Sequence, residues 1–191
     1  LRTELGLGNK FVVLYIGAHG ISHSLHVILE AASKLRDEKQ IHFLFVGEGA
    51  EKERLIKIKE ATKLDNVSFL EGQPKERVPF FYAASDVCLV PLRNVPLFQG
   101  FIPSKMFEIM ASGKPIIASL AGEPAEILRQ SGGAVVIPPE DVDSLTEAIV
   151  QLRDEPERIR SMGEAGFRYV SVYYTRSMLA RRYEDILHAI S

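Results

Sequence analysis

Six short apolar runs, each followed by a stretch with helical spacing, set the strongest constraint on what this chain can fold into. The runs are FVVLYIG (11–17), IHFLFVG (41–47), NVSFL (66–70), VCLVPL (87–92), PIIAS (115–119) and AVVIPP (134–139). A run that is apolar throughout, rather than at alternate positions, must be covered on both faces, which is the condition of a strand in a parallel sheet. The stretches between and after them, 23–38, 51–63, 76–85, 103–112, 124–131 and 143–153, read as the helices that cross back over the sheet. The alternation predicts an α/β domain with a doubly wound, six-stranded parallel sheet and helices on both faces. Ligands of such sheets bind at the carboxyl ends of the strands, near the switch in strand order.

Composition narrows the function. At 191 residues and 46% hydrophobic, the chain can bury one sizeable core. The net charge of −2 and the scattered basic residues give no footprint for nucleic acid. No apolar run approaches the roughly 20 residues of a membrane span, and no signal peptide is visible, so the expected location is cytoplasmic. Cys88 lies within VCLVP and reads as an inert core thiol. After residue 153 two further helical segments follow, at 155–172 and 175–190. In the second, Leu179, Tyr183, Ile186, Leu187 and Ile190 form one stripe that needs a surface to pack on, either this sheet or a partner domain. The expected division is therefore a ligand-binding domain over 1–172 and a docking helix over 173–191. Ser144 and Glu147 stand at capping-box spacing before an apolar run, and Gly113 with Pro115 closes the helix before them.

That helix opens with the most informative chemistry, PSKMFE at 103–108. Pro103 suits a first helical turn, and the free N–H groups there favour an anion such as phosphate. Ser104 can add a hydrogen bond and Lys105 a point charge. Glu108 falls three and four residues after them, where its carboxylate can accept two ribose hydroxyls. The combination suits a nucleoside diphosphate. The plainer alternative is a surface pair of Lys105 and Glu108, worth about 0.2–0.5 kcal/mol. Plainer accounts also exist for other polar residues. His19 and His23 read as exposed loop histidines, or as hydrogen-bond donors to phosphate. Asp86 reads as structural. Glu123 and Glu126 read either as helix-start carboxylates or, for one of them, as a group facing a ligand at the carboxyl end of the fifth strand. No carboxylate or cysteine joins His19, His23 and His26 in a metal-ligand pattern.

The order and spacing of GAHGISHSLHVILEAA, FVGEGAEKERL, NVSFLEGQPKERVPFFYAASDVCLVPL, PSKMFEIMASGKPIIAS and GEPAEILRQSGGAVVIPPEDVDSLTEAI resemble the retaining family 4 glycosyltransferases. Their two Rossmann-like domains form the GT-B fold, and the resemblance covers this chain as the C-terminal, donor-binding half. It implies that Glu108, the second Glu of the family's E-x7-E motif, binds the ribose hydroxyls. Ser104 and Lys105 would meet the diphosphate, with Lys105 stabilising it as a leaving group. Gly72 and Gln73 would touch the base, and Gly47 and Gly49 would border its pocket. Gly122 would allow close approach of the donor. The first residue is Leu1 rather than Met, and the acceptor-binding N-terminal domain would be a missing partner.

Three departures from the family pattern bear on the site. The first Glu of E-x7-E is replaced by Gly100, which leaves the donor sugar to the main chain of Gly100, Ile102 and Pro103. The usual Arg and Lys after the first strand are Ala18 and His23, which leaves Lys105 and Arg93 to balance the diphosphate. A surface-polysaccharide subgroup instead has a glycine-rich loop that Gly17 to Gly20 resembles. Carried over, these features imply transfer of a glycosyl unit from a nucleotide sugar, UDP-linked by subgroup, to an acceptor hydroxyl. They imply no bound metal or cofactor, no nucleic acid, and in the full protein a lipid-linked acceptor at the inner membrane face. The isolated domain is expected to bind donor without catalysing transfer. The alternatives are a non-catalytic nucleotide-binding module and half of a two-domain sugar-nucleotide epimerase.

Overall fold

The computed structural model describes residues 1–190 and contains six strands: β1 (Phe11–Ile16), β2 (Ile41–Val46), β3 (Val67–Leu70), β4 (Val87–Pro91), β5 (Ile116–Ser119) and β6 (Ala134–Ile137). All pair in parallel, in the order β3-β2-β1-β4-β5-β6. The inner strands β1, β2, β4 and β5 are buried almost throughout, and the edge strands β3 and β6 are half-covered. This is the packing that continuous apolar runs demand. Eight helices accompany them among the described residues: α1 (His26–Lys34), α2 (Lys52–Ala61), α3 (Val78–Ala84), α4 (Lys105–Ala111), α5 (Glu123–Ser131), α6 (Val142–Asp154), α7 (Pro156–Tyr173) and α8 (Arg176–Ala189). One core lies between the sheet and α1, α2 and α6, and the other under α3, α4, α5 and α7.

Several boundaries differ from the sequence reading. The segment 23–38 shortens to α1, because Ile21–His23 forms a separate 3-10 turn and Ser24 adopts a left-handed conformation between them. Helix α4 begins at Lys105 rather than Pro103. The proline stands one residue before the cap, and its carbonyl accepts from the Met106 N–H at 3.1 Å. Asp141, not Ser144, caps α6: its side chain accepts from the Ser144 N–H at 2.9 Å, so the capping-box reading was displaced by three residues. A 3-10 turn at Pro96–Gly100 had no sequence signal.

Cys88 is fully buried and its thiol is pushed up to about 12 by burial. Asp86 is structural, accepting from the Val12 N–H and the Arg2 guanidinium. Helix α7 packs on α4, α5 and α6, whereas α8 meets only α7 closely. The predicted stripe of α8 does not pack on this sheet: Leu179, Tyr183, Ile186, Leu187 and Ile190 are all exposed. No helix among the described residues is long and apolar enough to cross a membrane.

Candidate functional site

The strand order reverses between β1 and β4, so the loops leaving their carboxyl ends part and open a crevice. The residues that the family resemblance assigns to the donor follow the carboxyl ends of the strands. Gly17, Gly20 and His23 follow β1, Gly47 and Gly49 follow β2, and Gly72 and Gln73 follow β3. Arg93, Gly100, Ile102, Pro103 and Ser104 connect β4 to α4, Lys105 and Glu108 start α4, and Gly122 precedes α5.

Lys105 and Glu108 do not form the surface pair that was the plainer alternative. The Lys105 ammonium turns inward beneath the β1–α1 loop, 4.3 Å from the centroid of the Tyr15 ring. It donates to the Tyr15 hydroxyl at 3.3 Å, and that hydroxyl donates to the Ala18 carbonyl at 2.6 Å. The ammonium lies against Gly17, where a Cβ would stand 2.7 Å from the Lys105 Nζ. None of the ion pairs among the described residues includes Lys105. Burial without a partner carboxylate pushes the ammonium down to about 8, partly offset by the nearby charge of Glu108. Glu108 itself faces outward, receiving only the Tyr82 hydroxyl at 3.4 Å. Ser104 is exposed at the cap and its side chain bonds nothing in the helix.

Close backbone packing builds the loops around this lysine. Gly47 has φ +144°, and a Cβ there would fall 1.9 Å from the Gly17 carbonyl oxygen, so only glycine lets the two loops touch. Gly122, at φ +78°, does the same for the 96–100 turn: its Cβ would lie 2.2 Å from the Gln99 carbonyl oxygen. Gly20 and Gly100 are not needed by the fold in this way, since a side chain at either would meet at most ordinary contacts.

The histidines depart from the exposed-loop reading. His19 is fully buried among Tyr15, Phe45 and Phe69, and neither ring nitrogen has a hydrogen-bond partner. Its main chain is sewn into the β2–α2 loop, donating to the Glu48 carbonyl and accepting from the Glu51 N–H. Each unpaired buried polar atom costs about 1–3 kcal/mol. Burial, with Lys52 next in importance, pushes His19 down to about 4. His23 is half-buried beside Tyr15 and is likewise held at about 4, first by burial and then by Lys105. Near neutral pH His23 is therefore uncharged.

On the β3 side, Glu48 accepts from the Lys52 ammonium at 2.7 Å and the Gly72 N–H at 3.0 Å. The Gly72 donor is therefore already engaged, and Gln73 turns its amide to the Glu71 carbonyl. Arg93 lines a separate cleft of about 270 Å³ with Gly20, Ile21 and Arg54, away from Lys105. Among the described residues, no group of three or more His, Cys, Asp or Glu converges as a metal site. Sequence reasoning missed Tyr15, Tyr82 and Glu48. The two tyrosines sit in apolar segments and read as core, and only the three-dimensional packing shows where their hydroxyls end.

Comparison with known proteins establishes the family and the fold. The family model for glycosyl transferases group 1 matches residues 1–169. A protein of Escherichia coli (strain K12) described as a colanic acid biosynthesis glycosyl transferase is 34% identical over 155 residues, covering 79% of this chain and 38% of its own. The MMP alpha-(1->4)-mannosyltransferase of Mycolicibacterium hassiacum is 33% identical over 168 residues, covering 85% and 38%. The structure of Anabaena HepE in complex with UDP and glucose superposes with a TM-score of 0.85 at 19% identity, over 98% of this chain and 50% of that one. A sucrose-phosphate synthase from Thermosynechococcus elongatus gives 0.84 at 24% identity, over 99% and 48%. The chain thus has the fold of one half of these structures, and it spans well under half the length of the two relatives named.

Proposed function

The chain belongs to the glycosyl transferases group 1 family, and on that premise we propose that it is the nucleotide-sugar-binding half of a retaining glycosyltransferase. The donor is a nucleoside diphosphate sugar, UDP-linked, and the glycosyl unit, of hexosyl or N-acetylhexosaminyl type, passes to an acceptor hydroxyl in surface polysaccharide or glycolipid synthesis. The UDP complex of HepE and the colanic acid relative support that choice of donor and pathway class. The observation that carries the reading is Lys105: an ammonium sunk against an aromatic ring and a glycine backbone, with no carboxylate to neutralise it.

A diphosphate supplies the missing charge. As the sugar–phosphate bond breaks, negative charge grows on the departing diphosphate, and a preorganised cation lowers the barrier by stabilising it. Tyr15 holds the cation in place before substrate arrives, so little reorganisation is needed. Glu108, one turn along, accepts the ribose hydroxyls, and its tie to Tyr82 leaves it free to do so. The main chain of Gly100, Ile102 and Pro103 borders the sugar. On this reading the reaction uses neither a covalent nucleophile nor a bound metal, and Lys105 offsets part of the diphosphate charge. Helix α8 carries its exposed stripe to the other half of the enzyme, where the acceptor binds, so these 191 residues alone bind donor and do not transfer it.

Calorimetric titration with UDP and GDP, alongside Glu108→Ala, tests the reading. Saturable uptake of UDP that weakens in the variant supports it. No uptake of either nucleotide at millimolar concentration, by the chain or by the full-length protein, contradicts it. Nucleotide uptake by a full-length protein that neither transfers nor hydrolyses any donor would make it a binding module instead.

A further inference from the structure

Only three non-glycine residues among those described have positive φ: Ser24 (+46°), Lys63 (+53°) and Glu140 (+63°). Two of the three are bonded to each other across 116 residues of sequence, the Ser24 hydroxyl donating to the Glu140 Oε1 at 2.6 Å. Left-handed backbone at a serine or glutamate is uphill and persists where the surroundings hold it. Here the carboxylate provides the hold. Its Oε2 accepts from the Asn94 N–H at 2.9 Å, and the Glu140 N–H donates to the Ser119 Oγ at 3.1 Å. Ser24 and Ser119 are both buried. The β1–α1, β4–α4 and β6–α6 loops therefore meet on one carboxylate, beyond the carboxyl ends of β1, β4, β5 and β6. The Arg93 N–H adds a cross-tie, donating to the Ser22 carbonyl at 2.9 Å.

Resting on the donor-site reading above, we infer that Glu140 is a positioning residue: it clasps Ser24 and Asn94 so that the Gly17–His23 loop is set in place against the donor diphosphate. Its own hydrogen-bond partners are Ser24, Asn94 and Ser119, none of which is assigned to the donor. The clasp acts on one end of the ligand. The loop it holds borders the phosphate side, through Gly17 and the Lys105 pocket, whereas Glu108 and the loop at Gly72 belong to the nucleoside side. Loss of the clasp should thus be felt through the phosphates and not through the nucleoside.

The test compares UDP with uridine, and GDP with guanosine as the parallel pair, by chemical-shift titration of the wild-type chain, Glu140→Ala, Glu140→Gln, Ser24→Ala and the Glu140→Ala/Ser24→Ala double variant. The clasp predicts that Glu140→Ala and Ser24→Ala each weaken nucleoside diphosphate uptake about tenfold and leave the nucleoside within about twofold. It also predicts that the double variant is no weaker than the worse single one, because both remove the same link. Equal losses for diphosphate and nucleoside would mean a general structural role and overturn the inference, as would unchanged diphosphate binding. Should Glu140→Ala fail to fold, Ser24→Ala and Glu140→Gln carry the same comparison. Uptake of no nucleotide by either the wild-type chain or the full-length protein overturns the donor-site reading itself, whereas uptake indifferent to these variants overturns only the clasp.

Discussion

The two ends of the sheet each hold a half-buried lysine and a buried histidine, and they treat them in opposite ways. At the amino end, the Lys114 ammonium donates to the Ala83 and Ser85 carbonyls, at 3.2 and 2.8 Å, where α3 ends. His42 shares a hydrogen bond of 2.9 Å with Ser68. At the carboxyl end, Lys105 meets an aromatic face and one tyrosine hydroxyl, and His19 has no partner at either nitrogen. Burial lowers both lysines and holds both histidines at about 4, so a perturbed titration alone does not mark a site. What separates the ends is whether the fold itself satisfies the buried groups. Where it does, as at Lys114, they hold helix and strand together. Where it does not, as at Lys105, the proposed donor diphosphate would supply the partner.

The strongest way to break that contrast is to neutralise each lysine in turn. Lys105→Met should weaken UDP uptake by about 10- to 100-fold in calorimetry, the size of a charge-assisted hydrogen bond to phosphate. Lys114→Met should leave UDP uptake unchanged. It should lower stability to urea by about 1 kcal/mol or more, because it strands two carbonyls. If the two variants behaved alike, the distinction between the ends would fail. Next in size, Glu108→Ala should weaken UDP about tenfold while uptake of inorganic diphosphate stays as in the wild type, which separates the ribose contact from the phosphate contact.

A pH series sharpens the same point. Lys105 has a folded value of about 8, below its ordinary one, so it loses its proton as pH rises from 7 to 9.5. Up to about pH 8.5, below the ionisation of the uracil N3–H, the charge of UDP changes little. Affinity should therefore fall with rising pH as Lys105 loses its proton, and that fall should be absent in Lys105→Met. Because the unfolded chain binds more protons over the interval from 8 to the ordinary lysine value, Lys105 also makes folding stability rise with pH there. The smallest effect concerns metal. Excess EDTA should leave UDP uptake within error, and a loss would mean that a cation, not Lys105, balances the diphosphate.

Much of the fold was legible because its signals are local. Six continuous apolar runs dictate strands covered on both faces in a parallel sheet. The order β3-β2-β1-β4-β5-β6 was not read from them, since crossover handedness leaves the neighbours of each strand open. Lys105 and Glu108 were legible for a similar reason, since they open a helix beside Pro103 and Ser104. Their directions were not legible. That Lys105 turns in and Glu108 out depends on Tyr15, 90 residues away in sequence, and the ammonium lies against Gly17. His19 was misjudged because a glycine-flanked histidine reads as exposed. Only the glycines at 47 and 49, packed against the backbone of 17 and 19, let the loop sink onto the aromatic row of Tyr15, Phe45 and Phe69. Glu140 gave no signal either, because its partners lie in two distant loops. The α8 stripe was seen, and its exposure could not be, because spacing shows a face without showing what covers it.

The most direct test follows the lysine ammonium groups themselves, by NMR titration of isotope-labelled lysine side chains with and without saturating UDP. Lys105 should titrate near 8 in the free chain and move up when UDP is bound, because a phosphate beside it favours the charged form. Lys114 should not move. A Lys105 resonance that titrates identically with and without bound UDP would contradict the claim that the diphosphate completes this end of the sheet.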